Sequence, residues 1–251
     1  MESPFVEIRK LTKRYGEFTA VSDLDLEIPQ GEMFALLGPN GAGKTTTMRL
    51  LMGILKPTSG TARIGGLSCF EDRVEVKRLV GFLPDDPIFH DYLRGNDIVR
   101  FVGGMHGLAD AEIQARAQHL FERMDLLDAV EEYAVNYSRG MKKKLALVCA
   151  LLHRPKLLIL DEPTSGLDPI ATRRLHELLV EKASQGTTVL LSSHLLDQVQ
   201  RLCSRMAIIS RGTLAAVGTL DDLRKRAQAE SSLEDVFFAV AGEGRAATDS
   251  P

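Results

Sequence analysis

Gly38-Pro39-Asn40-Gly41-Ala42-Gly43-Lys44-Thr45 is the segment of this chain whose residue types and spacing most directly specify chemistry. It matches G-x-x-x-x-G-K-[ST]. Glycines let the backbone curl around a phosphate chain and turn its N–H groups inward. A helix starting near Lys44 adds its positive dipole end, worth about 0.3–1 kcal/mol per favourable charge contact. In such a loop the lysine ammonium reaches the β- and γ-phosphates and the Thr45 hydroxyl binds Mg2+. The flanks supply the required context. Met33 to Leu37 is a continuous apolar run, as in a buried parallel strand, and Thr46 to Leu55 has a helical pattern. The loop alone specifies only a nucleoside triphosphate and Mg2+, because kinases, GTPases and motor ATPases share it.

A second acidic segment, Leu157-Leu158-Ile159-Leu160-Asp161-Glu162, reads as an apolar strand ending in two carboxylates. Ligands bind at the carboxyl ends of strands in open α/β sheets. Asp161 is placed to hold Mg2+ directly or through water, and Glu162 to polarise an attacking water as general base. The competing reading is a helix-capping turn, since Pro163-Thr164 follows. His194 comes after another apolar strand, Val189 to Ser193, expected to neighbour the Asp161 strand. There it would hydrogen-bond the γ-phosphate or the water. His90, His106, His119, His153 and His176 fall on expected helices or loops and read as structural.

The elements that must position these groups alternate along the chain. Phe5 to Ile8, Ala20 to Ile28, Thr61 to Ile64 and Val80 to Leu83 read as strands. From about Asp85 to Arg154 the period becomes helical, through Ile98-Val99-Phe101-Val102-Met105 and Ile113-Ala117-Leu120-Phe121-Met124, which predicts an inserted helical lobe. After the Leu157 strand come a helix over Pro169 to Ser184, a strand over Thr188 to Leu191 and a helix over Leu195 to Cys203. A hairpin then joins Met206–Ser210 to Thr213–Val217 through Arg211-Gly212. Such alternation argues for a parallel sheet with covering helices. Gly242 to Pro251 reads as a frayed polar tail.

Composition narrows the class. The chain has 251 residues, 44% hydrophobic and 26% charged, with a formal net charge of −3. That provides ample core, and no basic surface suited to nucleic acid. Cys69, Cys149 and Cys203 form no CxxC, so neither a disulfide framework nor a zinc site is expected, and a reducing compartment is. The longest apolar run, Leu145 to Leu152, is far short of the roughly 18 residues of a membrane span, and the N-terminal residues have no signal-peptide pattern. A membrane process would therefore be served from the cytoplasmic side through a partner.

Taken together, these motifs resemble the ATP-binding-cassette (ABC) ATPases, over residues 5 to 222. Gly38 to Thr45 looks like that family's Walker A motif and Leu157 to Glu162 its Walker B. Tyr137-Ser138-Arg139-Gly140-Met141 falls where the family carries LSGGQ. Ser165-Gly166-Leu167-Asp168 resembles its D-loop, His194 its switch histidine, and Tyr15 the aromatic that stacks on adenine. The resemblance implies a single ABC ATPase domain of the α/β P-loop NTPase class. A parallel sheet with covering helices is joined by an antiparallel β subdomain at the N-terminus and an inserted α-helical subdomain. The core would span about 1–84 and 155–222, the helical subdomain about 85–154, and C-terminal helices and tail about 223–251. The implied ligands are ATP and Mg2+. Nucleotide contacts fall to Tyr15, Gly38, Pro39, Asn40, Gly41, Ala42, Gly43, Lys44, Thr45 and Thr46, and across a head-to-tail dimer to Ser138, Gly140 and Met141. Glu162 and His194 would be catalytic, and Thr45, Asp85 and Asp161 would serve the metal.

The departures are specific. Arg139 stands where the signature has its first glycine, and Met141 where it has glutamine. Arg139 either adds charge opposite the partner's phosphates or points to solvent, the favoured reading. Asp85 stands at the Q-loop glutamine; it can still reach Mg2+ or its water, but adds a negative charge. Lys142-Lys143-Lys144 reads as a solvated helix start, with a role in holding phosphate or partner as the alternative. The segment Glu131 to Asn136 lacks the loop of exporters with fused spans. Pro163–Pro169, Ser193–Leu196, Arg201–Ile209 and Ser232–Phe237 resemble ABC-2 type subunits, which mostly serve export. The resemblance thus implies a second ATPase subunit, identical or homologous, integral membrane permease subunits, and a peripheral place on the inner face of the cell membrane. The alternative is a soluble ABC ATPase acting on a protein assembly, such as iron–sulfur cluster assembly.

Overall fold

The computed structural model describes residues 4–227 and residue 237. The tail expected over Gly242 to Pro251 lies outside the described residues, as does Ser232–Phe237 apart from its last residue. In chain order the elements are β1 (Val6–Tyr15), β2 (Phe18–Ile28), β3 (Met33–Leu37), α1 (Lys44–Leu51), β4 (Ser59–Ile64), β5 (Leu67–Ser68), α2 (Arg73–Leu79), β6 (Val80–Leu83), α3 (Gly95–Met105), α4 (Asp110–Met124), α5 (Arg139–Leu151), β7 (Leu157–Leu160), α6 (Pro169–Ser184), β8 (Thr188–Ser193), α7 (Leu196–Leu202), β9 (Arg205–Ser210), β10 (Thr213–Thr219) and α8 (Leu220–Ala227). They fall into two compact units, Met1–Val76 with Thr188–Pro251, and Lys77–Thr187.

The first unit contains an antiparallel sheet in the order β2-β1-β4-β5. Val6, Ile8, Leu24, Leu26 and Ile28 are buried while Glu27 faces out, the alternation of a half-buried sheet. The sequence reading ended β1 at Ile8, yet the strand continues to Tyr15. Its pairing with β2 shifts register between Ile8 and Leu11, and there Lys10 takes φ 47° and donates its N–H to Asp25 Oδ1 at 3.0 Å. A bulge of this kind breaks the period-two pattern from which strands are read. Beside this sheet, β3 pairs in parallel with both β8 and β9. Phe34 to Leu37 are fully buried, which explains the unbroken apolar run. Strand β10 returns along β9 through Arg211 and Gly212, both at positive φ, as a tight two-residue hairpin requires.

The second unit holds the parallel pair β6–β7, in register from Val80↔Leu157 to Leu83↔Leu160. Helix α5 crosses β6 so closely that a Cβ at Gly81 would sit 2.1 Å from the Ala150 carbonyl oxygen. Helix α4 buries Ile113, Ala117, Leu120, Phe121 and Met124, one stripe of an amphipathic helix. Ion pairs Arg123–Glu181 (2.8 Å) and Arg174–Asp125 (3.3 Å) link α4 and its C-terminal cap residue to α6. Helix α6 occupies the residues expected from its pattern, with Asp168 as N-cap accepting from the Ala171 N–H at 2.8 Å and Pro169 in the first turn. That N–H also holds the Asp168 carboxyl below the ordinary carboxylate range. Helix α2 went unread from sequence, because seven residues with Val76 as their one buried position carry almost no periodic signal.

Candidate functional site

In the first unit the phosphate-loop residues leave β3 and enter α1. Gly43 is the N-cap of α1, at φ 107°, and has no side chain with which to cap it. The first intrahelical bond runs from the Thr47 N–H to the Gly43 carbonyl. The N–H groups of Thr45 and Thr46 therefore have no acceptor within the helix, the condition for binding an anion at a helix start. Lys44 is buried, and its Nζ donates to the carbonyls of Gly38 (2.6 Å) and Pro39 (3.3 Å), across the loop it belongs to. Pro39, Asn40 and Gly41 are exposed at the loop's crest, and Ala42 is buried beneath it.

Two glycines of the loop answer to packing. A Cβ at Gly38 would lie 2.4 Å from the Ile209 carbonyl oxygen, and one at Gly43 would lie 2.6 Å from that of Ala20. The β9–β10 turn also braces the loop, through Gly212 N–H to Ala42 O at 2.9 Å. Parallel register pairs Leu37 with Ser193, so Gly38 and His194 emerge side by side from adjacent strands. His194 is exposed there. Tyr15 ends β1, half-exposed at 47%, with the Lys13 ammonium 5.0 Å from its ring centroid.

The second unit carries Asp85, Ser138, Gly140, Met141, Asp161 and Glu162, and of these it links Asp85 to Glu162 through Lys143, and Ser138 to Met141. Asp161 is buried, and its N–H extends the β6–β7 pairing by donating to Leu83 O at 2.8 Å. Glu162 follows at φ 46°, a left-handed conformation that side chains other than glycine adopt at a cost. Ser138 is the N-cap of α5, and its Oγ accepts from the Met141 N–H at 3.2 Å. Gly140 lies against the D-loop segment: a Cβ there would meet Gly166 O at 3.0 Å. Tyr137 is buried and donates its hydroxyl to Ala129 O at 2.6 Å, and burial pushes its phenol above the ordinary value.

The lysine run needs correction. Lys143 is not solvated. Its side chain is 1% exposed, and its Nζ donates to Glu162 O at 2.5 Å and to Asp85 Oδ1 at 3.3 Å. Burial pulls this ammonium below its ordinary value, and Asp85 acts against that. The signal was present in the spacing, because Lys143, Leu147, Ala150 and Leu151 share the buried face of α5 at i, i+4, i+7 and i+8. Arg139 stays largely exposed, 3.8 Å from Asp85 Oδ1, with Nη2 donating to Ser165 Oγ at 3.4 Å.

A phosphate loop at a strand–helix junction of an α/β fold defines a P-loop nucleotide-binding protein. The particular family follows from comparison. A family model described as ABC transporter matches residues 21–165, and the chain belongs to that family as an ATP-binding, ATP-hydrolysing subunit. It is 34% identical over 221 residues to the linearmycin resistance ATP-binding protein LnrL of Bacillus subtilis (strain 168), across 88% of this chain and 71% of that one. A solved structure of the ATP binding subunit of an ABC transporter superposes with a TM-score of 0.89 at 32% identity, over 94% of this chain and 99% of that one. A dimeric ATP-binding cassette solved with ADP and phosphate shares the fold at a TM-score of 0.78 and 22% identity, over 86% of this chain and 98% of that one.

Proposed function

We propose that this chain drives export through separate membrane subunits by ATP-dependent, head-to-tail dimerisation. The observation that carries the reading is the pairing, in one chain, of an uncapped phosphate-binding helix start with a Ser138-capped signature segment. A second subunit would supply its signature segment to this chain's phosphate loop and receive this chain's signature in return. ATP bound between subunits favours the closed state only, and its hydrolysis releases that state. The likeness to a linearmycin resistance ATP-binding protein supports the export reading. Among the described residues no helix is long and apolar enough to cross a membrane. In this reading the path for cargo lies in partner subunits, with this chain docked at the inner face.

Within the site, Tyr15 would stack on adenine, with the neighbouring Lys13 ammonium adding positive charge. Gly38 to Thr46 would hold the phosphates through backbone N–H groups and the Lys44 ammonium. The hard oxygen donors of Thr45 and Asp161 suit Mg2+, and no cluster of three His, Cys, Asp or Glu among the described residues offers it an all-protein site. When bound, the ion would neutralise charge on the phosphate oxygens. Glu162 would take a proton from the attacking water while His194 hydrogen-bonds the γ-phosphate. From the partner subunit, Ser138, Gly140 and Met141 would close over the same phosphates. Glu162→Gln tests the reading: it should bind ATP, stop turnover and accumulate as a dimer in analytical ultracentrifugation. Hydrolysis by this variant at the wild-type rate would refute the base assignment.

A further inference from the structure

Lys143 is an ammonium kept where an apolar side chain would pack. It lines a cavity together with Leu83, Leu147, Pro163 and Leu167. Burying a charge is costly unless it is paired and hydrogen-bonded, so the two contacts at its tip need a reason. One is the carbonyl of Glu162, the residue held at positive φ, and that same oxygen also accepts from the Ser165 N–H at 3.1 Å. Two donors on one carbonyl fix the peptide plane that follows Glu162. Fixing that plane holds the left-handed backbone from which the Glu162 side chain projects. A charged donor makes roughly twice as strong a bond as a neutral one, so Lys143 is the stronger of the two clamps. The other contact is the Asp85 carboxylate, which accepts from Lys143 Nζ at 3.3 Å.

We propose that Lys143 is a positioning residue for hydrolysis. It clamps the Glu162 carbonyl so that the carboxylate is aimed at the attacking water, and Asp85 is the counter-ion that keeps Lys143 in place. The departure at Asp85 and the lysine after the signature are then one device, which ties the Q-loop position, the first turns of α5 and the end of β7 together within one unit. The inference rests on Glu162 being the general base.

The test is steady-state hydrolysis of Mg-ATP by the full chain, with thermal unfolding measured beside it. Lys143→Met keeps the length and suits the apolar surroundings, so its melting temperature should match or exceed that of wild type. Its kcat should fall about 10- to 100-fold, the scale of a misaimed catalytic group, with KM within about twofold. Lys143→Arg, which keeps a charged donor, should recover most of the loss. Asp85→Asn should lower kcat on its own and add nothing in the Lys143→Met background, because both act through one clamp. A Lys143→Met kcat within about twofold of wild type, or losses that multiply in the double variant, overturns the proposal. If Lys143→Met does not fold, the half-exposed Asp85 carries the test, and an unchanged kcat in Asp85→Asn overturns it. Glu162→Gln separates the levels. An inactive Glu162→Gln beside a fully active Lys143→Met removes only the clamp, whereas an active Glu162→Gln removes the base on which it rests.

Discussion

Ser138 offers a perturbation in which stability and function should move in opposite directions. Its Oγ caps α5 through one bond to the Met141 N–H, and the bond is long, at 3.2 Å, and exposed. Removing an N-cap side chain costs about 0.5–2 kcal/mol, and a long exposed bond belongs in the lower half, about 0.5–1 kcal/mol. For a chain of this size that corresponds to a fall of about 1–4 °C in melting temperature for Ser138→Ala. Ser138→Asp keeps a capping oxygen and adds a carboxylate at the positive helix end. The first turn of α5 has no acidic residue and begins with Arg139. The added charge should contribute about 0.3–1 kcal/mol, so this variant should melt at or above wild type. If Ser138 closes over the partner's γ-phosphate, the same carboxylate faces a phosphate. Two unit charges about 4 Å apart repel by about 4 kcal/mol at an effective dielectric of 20, which weakens the ATP-bound dimer about a thousandfold. The assay pairs thermal unfolding without nucleotide with sedimentation of the Glu162→Gln form in ATP. A Ser138→Asp protein that dimerises and hydrolyses like wild type refutes the phosphate contact. One that melts below Ser138→Ala refutes the capping argument.

Three other perturbations probe separate parts of the structure. Lys44→Ala should weaken ATP binding about 10- to 100-fold, the value of a charged hydrogen bond, and unchanged affinity in calorimetric titration would remove the phosphate contact. Gly81→Ala should cost about 3 kcal/mol, since neither the β6 backbone nor the Ala150 carbonyl can give way; a melting temperature near wild type would show that α5 lies farther from β6. The third concerns acid. His153 stacks on His106 with ring centroids 3.8 Å apart, its Nε2 donates to Val80 O at 3.1 Å, and its buried Nδ1 has no hydrogen-bond partner among the described residues. Burial, aided by the neighbouring His106, pulls it from 6.5 to about 4. The unfolded chain therefore takes up a proton that the folded chain refuses, so stability is complete above pH 6.5 and is lost as pH falls toward about 4. His153→Gln, which keeps a donor for Val80, should flatten the decline in melting temperature between pH 7 and 5; an unchanged slope would place the acid sensitivity elsewhere.

Much of the site was legible because it is local. The phosphate loop is eight consecutive residues at a strand–helix junction, and its residue types state both the conformation and the ligand. The apolar β3, β7 and β8 runs were readable for the same reason, as was α6, which starts with Asp-Pro and keeps its period to the end. The second half of β1 was not, because the Lys10 bulge erased its alternation, and α2 was too short to show one.

Sequence by itself determined the class of chemistry, since a G-x-x-x-x-G-K-T loop and an apolar strand ending in Asp161-Glu162 need only neighbouring residues to be recognised. Tertiary structure alone decided why Gly38 and Gly43 must lack a Cβ, because the carbonyls that would clash belong to Ile209 and Ala20, distant in the chain. It also decided the fate of Lys143. Three lysines in a row look alike in sequence, and burial separates the middle one, since Lys143 is buried while Lys142 and Lys144 are half-buried. There its charge is compelled to find Asp85 and the Glu162 carbonyl, because a buried ammonium cannot be left to water.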